Sequence, residues 1–533
     1  MQVPENRPWF KFWPENLPHH LDYQEIPLYE FLTNNARKYP DNVAFSYRGR
    51  HNLTYKELDT QTSKLAYALN RLGMVKGDRT LVLLPNSLEF VVAYYGILKA
   101  GGTVVPTNPL YKVRELNHHI IDSGAIAIIT DKEHYPVVEA IRDRTTLQIV
   151  VITDIQGIKD TVSLPEILAQ YPPTPLNLNI SPKEDVAAIE YTGGTTGFPK
   201  GVMLTHYNLV ANAMQNAVWL GWSSKDTIIG LLPFYHSWGA CTCMNSAIYC
   251  GGRVVVFPRF DTRELLEAIE KEKATLLYCA ASLFTNLVSD PLITKYDLSS
   301  LQYVKAGAMP IPSEIKRRWD KVTGVKMILG YGLSEASPET HNCPPNRVKL
   351  GTIGIPIFDT DARIVDQDTG TIELPTGEVG ELVIRGPQVM KGYLNRPEDN
   401  KEVLRDGWLY TGDLAAMDEE GYFRIVDRKK ETIKYKGYTI APTEIEAVLY
   451  EHPAVKECAV VGKPDAISGE IPKAFIVLKE GHIVSEEELI EFCAQRISPY
   501  KKIREVAFID EVPKTNVGKI LRRLLKEAEE DSK

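Results

Sequence analysis

Long unbroken apolar runs are missing from this chain: the most apolar segment, 81–98, is interrupted by Pro85, Asn86 and Glu89. A membrane-spanning helix is therefore not expected. The amino-terminal residues Met1-Gln2-Val3-Pro4-Glu5-Asn6-Arg7-Pro8 lack the apolar stretch that a secretory signal needs. Cysteine is sparse, at seven in 533 residues, which is too few for a disulfide framework and fits a reducing, cytoplasmic compartment. Cys241 and Cys243, with Cys250 nearby, have no second close pair of the kind zinc requires, so they are read as small buried helix residues. Excess positive charge is absent as well. A net charge of -8 argues against nucleic acid or an anionic membrane as the main partner. Neither repeats nor low-complexity tracts occur.

What is present is a globular composition, 44% hydrophobic and 24% charged, in a chain too long for one core. Between residues 79 and 154 short apolar runs alternate with helical patterns, and a second such series runs from 186 to 332. Strands separated by helices imply parallel sheets with right-handed crossovers, hence an α/β fold of two doubly wound layers. From about 351 to 410 the runs become short and alternating, as in a small antiparallel sheet or barrel. After residue 430 the order is strand, helix, strand, strand, helix, strand. Four consecutive charged residues, Asp427, Arg428, Lys429 and Lys430, suit a joint between domains.

The chain is organised around residues 191–201, Tyr191-Thr192-Gly193-Gly194-Thr195-Thr196-Gly197-Phe198-Pro199-Lys200-Gly201. Glycines let backbone amides turn toward an anion, threonine hydroxyls add donors, and Lys200 adds a compact charge, so the stretch reads as a phosphate cradle. An apolar run at 185–190 precedes it and an amphipathic segment at 205–220 follows, so the expected local order is strand, loop, helix. Phe198 and Pro199 separate Gly197 from Lys200, which excludes a Walker A loop.

These residues resemble the signature loop of the adenylate-forming superfamily, which includes the AMP-forming acyl-CoA synthetases. Further stretches resemble the family in the same order: Gly330-Tyr331-Gly332-Leu333-Ser334-Glu335, Tyr410-Thr411-Gly412-Asp413, Asp427-Arg428 through Lys436-Gly437, and Pro513 through Lys519. One departure is Gly193, where many relatives carry serine; another is Ser334, where many carry threonine.

The resemblance implies a large N-terminal AMP-binding domain over 1–428, built of two doubly wound α/β subdomains plus a small β-barrel. It also implies a small mobile α+β domain over 429–533, with a hinge near Lys430. It further implies ATP, Mg2+ and CoA as cofactor and co-substrates, and a carboxylic acid as substrate. Thr192, Gly193, Gly194, Thr195, Thr196 and Lys200 would hold phosphates. Gly330, Tyr331, Gly332, Ser334, Asp413, Arg428 and Lys430 would contact the rest of ATP or AMP, with Tyr331 against adenine and Asp413 on the ribose. Glu335 and Thr192 would bind the metal through hard oxygens. His236, Trp238, Ala306, Gly307 and Ala308 would form an acyl pocket with apolar walls, His236 being positional and Trp238 a cap or gate. Lys519 would serve adenylation; Lys434 would serve the thioester step, with Lys436 and Gly437 at the CoA tunnel. A medium- or long-chain fatty acid is the expected substrate class. The alternatives are an aryl-CoA ligase of the 4-coumarate type, a ligase delivering acyl-AMP to another thiol, and a non-catalytic nucleotide-binding protein. No carrier domain is expected after Lys519, and a monomer or homodimer is expected.

Overall fold

The computed structural model describes residues 3–49, 51–192, 199–307, 313–436, 438–465, 467–515 and 520–531. It divides into two compact units. The larger comprises 1–361 and 385–409, the smaller 362–384 and 410–533.

The larger unit is built on two sheets. In the eight-stranded sheet, Arg79–Leu83, Thr103–Thr107, Ala127–Thr130 and Ile149–Ile152 run parallel. The helices Leu88–Lys99 and Val113–Ser123 make crossovers between them. Leu81, Val82, Val104, Val105, Ile128 and Ile129 are fully buried, because a parallel strand covered on both faces must be apolar throughout. The strand Val186–Thr192 joins this sheet beside Thr103–Thr107.

The nine-stranded sheet carries Thr227–Gly230, Leu276–Ala280, Tyr303–Gly307 and Lys326–Gly332 as parallel neighbours. Residues 233–238 follow the first of these strands, and 306–307 and 330–335 lie at the carboxyl ends of two others, where open α/β sheets hold ligands. Val43–Tyr47 closes on the far side of the same sheet through Phe45 opposite Val254.

One local expectation is corrected. The cradle is followed by a strand, Lys200–Thr205, antiparallel to Val186–Thr192, with Thr192 opposite Lys200; the helix begins only at His206. Thr205 caps that helix, its hydroxyl accepting from the Asn208 amide while Asn208 Oδ1 accepts from the Thr205 amide. Lys200 thus stands on a strand, and the helix N-terminus at His206 lies six residues beyond it. Gly201 packs against Ile189, where a Cβ would lie 2.8 Å from that side chain, and Val202 and Leu204 are fully buried on the other face, so the segment pairs as a strand before it coils.

In the smaller unit, Asp361–Val365, Gly380–Arg385, Trp408–Met417 and Phe423–Arg428 belong to one mostly antiparallel sheet. A second sheet of five strands carries the long pair Val455–Asp465 and Gly469–Leu478, flanked by Pro442–Leu449 and Glu486–Ala494. Its core is Ile433, Ile445, Leu449, Val460, Ile476 and Leu489. Among the described residues no helix is long and apolar enough to cross a membrane.

Candidate active site

Three segments converge in the larger unit. Ser237, next to His236, lies 2.9 Å from Ser334 through their hydroxyls. Glu335, in the short 3-10 turn Ser334–Ala336, accepts a 2.7 Å hydrogen bond from the Tyr393 hydroxyl, and its carbonyl accepts from the Met390 amide. Glu190, on the strand that leads into the cradle, is buried, and its Oε2 has no hydrogen-bond partner among the described residues. Burial pushes its carboxyl up to about 8; a hydrogen bond with Ser237 opposes the shift, and the Glu335 charge adds to it. At neutral pH Glu190 is therefore mostly an uncharged acid able to donate a hydrogen bond.

Lys200 stands at the hairpin's far end, its ammonium 2.5 Å from Asp399 and over the Tyr393 ring. Its charge is held by a partner carboxylate. Thr192 is half-buried at the last strand position before the loop. Tyr331 is half-buried and meets His341 edge-on at 5.9 Å. Gly332 cannot carry a side chain, since a Cβ would sit 2.4 Å from the Pro338 carbonyl oxygen. Gly193, Gly194, Thr195, Thr196, Ala308, Gly437 and Lys519 lie outside the described residues.

His236 Nδ1 accepts from the Trp238 amide at 3.2 Å, so the neutral ring carries its proton on Nε2. The following residues Gly239–Asn245 form a π-helix, a rare local widening that often marks a ligand site. Trp238 is buried, and its indole covers Gly307: a Cβ on that glycine would lie 3.1 Å from the ring. Ala306 is buried in the same strand.

Lys305 and Glu339 form a buried ion pair, with side chains 3% and 4% exposed. Asn342 Nδ2 donates to the second Glu339 oxygen at 3.0 Å, and the Lys305 ammonium lies 5.5 Å from the Tyr278 ring centre. Asn212 clamps the Glu339 backbone through both its amide and its carbonyl. Sequence reasoning missed these residues, although a lone charge inside an apolar strand run is a usable signal, as in Val304-Lys305-Ala306 and Ile189-Glu190-Tyr191. The three cysteines at 241, 243 and 250 are unpaired, and burial raises each thiol.

In the smaller unit, Asp413 and Arg428 sit opposite each other on neighbouring antiparallel strands and form a 2.7 Å ion pair, Asp413 buried and Arg428 half-buried. Lys429 reaches Glu381 at 2.8 Å. Lys430 is exposed in the turn that follows, where the Glu431 and Thr432 amides both donate to the Arg428 carbonyl. Lys434 and Lys436 are exposed, and Lys436 holds a left-handed backbone at φ +47° while its amide donates to the Ser468 carbonyl. Arg522 bridges Glu431 and Glu446. Burial raises the nearby Asp427 carboxyl to about 6.

The strand pair that flanks residues 193–198, the carboxylate turn at Glu335 and the histidine-led π-helix together make up the candidate site. Residues 32–394 match the model of the AMP-binding enzyme family, and 444–519 match that of the AMP-binding enzyme C-terminal domain. The chain belongs to this family of adenylate-forming enzymes and is an AMP-forming acid–thiol ligase. It is 42% identical to a long-chain-fatty-acid–CoA ligase of Bacillus subtilis, over 99% of each chain. Among solved structures it is similar to ATP-bound MatB from Rhodopseudomonas palustris. That likeness has a TM-score of 0.87 at 29% identity, over 95% of this chain and 100% of that one. The anthranilate CoA ligase AuaEII in complex with anthranoyl-AMP is also similar, with TM-score 0.88 at 28% identity over 97% and 99%.

Proposed function

We propose that this chain activates an aliphatic carboxylic acid with ATP, releasing pyrophosphate, and then passes the acyl group from acyl-AMP to CoA. The observation that carries the reading is the meeting of Glu190, Ser237, Ser334 and Glu335, which joins three family stretches at the carboxyl ends of parallel strands. The full-length likeness to a fatty-acid ligase supports the acid class.

In the first step a carboxylate oxygen attacks the α-phosphorus and pyrophosphate leaves. Thr192, the glycine-threonine loop and Lys200 bind phosphates; Tyr331 stacks on adenine; Asp413, oriented by Arg428, takes the ribose hydroxyls. His236, donating from Nε2, positions the acid. Lys519 neutralises charge developing between carboxylate and α-phosphate, the kind of stabilisation that contributes most to such steps. Glu335 and the Thr192 hydroxyl are hard oxygen donors. Such donors suit Mg2+, which shares its shell with phosphate oxygens and water. When bound, that ion neutralises triphosphate charge.

In the second step the CoA thiol attacks the acyl carbonyl and AMP leaves. Lys434, Lys436 and Gly437 serve that step, and the segment 429–533 reorients about Lys430 between steps, so that Lys519 and Lys434 act in turn. An aromatic acid is the second reading, favoured by the Trp238 and Tyr278 rings, 6.4 Å apart and edge-on. The test is a panel of alkyl and aryl acids scored by AMP release with and without CoA. CoA-dependent AMP release with fatty acids is expected, and release with amino acids or none at all would overturn the proposal.

A further inference from the structure

We propose that Tyr393 is a positioning residue for the first step: its hydroxyl orients the Glu335 carboxylate for the metal, and its ring supports the Lys200 ammonium that takes the phosphates. The inference rests on the ligase reading above and adds a residue that lies outside the motif stretches.

Residues 390–400 run between two parts of the site. The Met390 amide donates to the Glu335 carbonyl at 2.8 Å, which ties one end of the segment to the carboxylate turn. The strand Gly392–Tyr393 then lies antiparallel to Lys200–Thr205 with Tyr393 opposite Val202, and the Lys391 and Leu394 amides donate to the Met203 and Gly201 carbonyls. Asn400, from the helix Pro397–Val403, clamps the tyrosine backbone. Its Oδ1 accepts from the Tyr393 amide at 2.6 Å, and its Nδ2 donates to the Tyr393 carbonyl at 3.0 Å. On a backbone fixed in this way an aromatic side chain keeps only its own rotamers, and contacts at the ring and at the hydroxyl select among them.

Both contacts are made. The buried phenol donates to Glu335 Oε1 at 2.7 Å, and the Lys200 ammonium stands 5.3 Å from the ring centre, within the roughly 6 Å of a cation–π contact. Asp399, in the same helix as Asn400, holds that ammonium from another side. Glu335 Oε2 takes no hydrogen bond from the described residues, so one carboxylate oxygen is oriented by the phenol while the other stays available. That is the arrangement a hard divalent ion needs from a single carboxylate, and losing such an outer partner typically costs about ten- to a hundredfold in metal affinity.

Calorimetric titration of the full chain with ATP, in Mg2+ and separately in EDTA, tells the two contacts apart, and with no acid present no turnover enters the reading. Tyr393→Phe keeps the ring under Lys200 and removes only the hydroxyl. It should weaken binding of Mg2+-bound ATP about tenfold or more while metal-free ATP binds within about twofold of wild type. The Mg2+ concentration for half-maximal pyrophosphate exchange should rise about tenfold as well. Tyr393→Leu removes the ring too, and should weaken metal-free ATP about three- to fivefold. The proposal is overturned if Tyr393→Phe binds Mg2+-bound ATP as wild type does, or loses metal-bound and metal-free ATP alike, as a merely structural residue would. Should Tyr393→Leu fail to melt cooperatively, Tyr393→Phe decides alone. A wild-type chain that binds no ATP under either condition would overturn instead the ligase reading beneath it.

Discussion

The two units differ in how many of their charged site residues are paired. In the larger unit Lys305 is paired with Glu339, Glu335 with the Tyr393 hydroxyl, and burial raises the Glu190 carboxyl. In the smaller unit Asp413 is likewise paired, with Arg428, while Lys430, Lys434 and Lys436 stand exposed on turns and a short strand. A buried, hydrogen-bonded group is held in one geometry, because leaving its partner costs desolvation that nothing repays. An exposed lysine keeps its hydration and its rotamers until a ligand arrives.

The largest effect is expected from Lys519→Ala, which removes the cation proposed for adenylation. Pyrophosphate exchange should fall roughly a hundred- to a thousandfold, about 2.7–4 kcal/mol, while thioester formation from supplied acyl-AMP is spared. Equal loss in both half-reactions would mean that Lys519 is structural. Next comes Lys430→Pro. Proline fixes φ near about −65° and restricts the preceding Lys429, so the segment after the turn should be held in one pose. Pyrophosphate exchange should stay near normal while acyl-CoA formation drops by about tenfold or more, and Lys430→Ala should impair the second step much less. Wild-type rates in both half-reactions with proline would place the pivot elsewhere.

A third prediction concerns pH and the larger unit's burial. His206 accepts the Leu28 amide on Nδ1, and burial depresses its ring to about 4 from 6.5. The unfolded chain binds a proton below pH 6.5 that the folded site refuses. Stability is therefore whole above pH 6.5 and lost as pH falls toward 4, by about 3 kcal/mol at most. His206→Asn keeps an acceptor for the amide and does not titrate, so urea melts at pH 7 and pH 5 should differ less than in wild type; an unchanged pH difference contradicts it. Smallest is Asp413→Ala. Losing a charged hydrogen-bond partner should weaken ATP binding by about 1.5–3 kcal/mol in calorimetric titration, without altering acid preference. A shifted chain-length profile at normal ATP affinity would break the assignment of Asp413 to the ribose.

Much of the architecture is legible in the sequence. The alternation of apolar runs and helical patterns over 79–154 corresponds to four parallel strands with helices between them, as apolar periodicity requires. The hairpin Thr192–Lys200 is not legible as one, because a glycine-rich turn before an amphipathic helix reads the same whether or not a strand of six residues intervenes. Asp413 and Arg428 stand out separately in the sequence, and only the register of their strands shows that they pair.

Sequence alone determined the order of the family stretches, the class of fold and the residues that bear charge or hydroxyls in the cradle, since these follow from local pattern and composition. Tertiary structure alone decided which charges face one another. Lys305 and Glu339 are 34 residues apart and on different strands, and Val43–Tyr47 finds its partner more than two hundred residues along the chain. Periodicity states which face of a strand is buried; what lies against that face is set by the packing of the whole sheet, which no local stretch encodes.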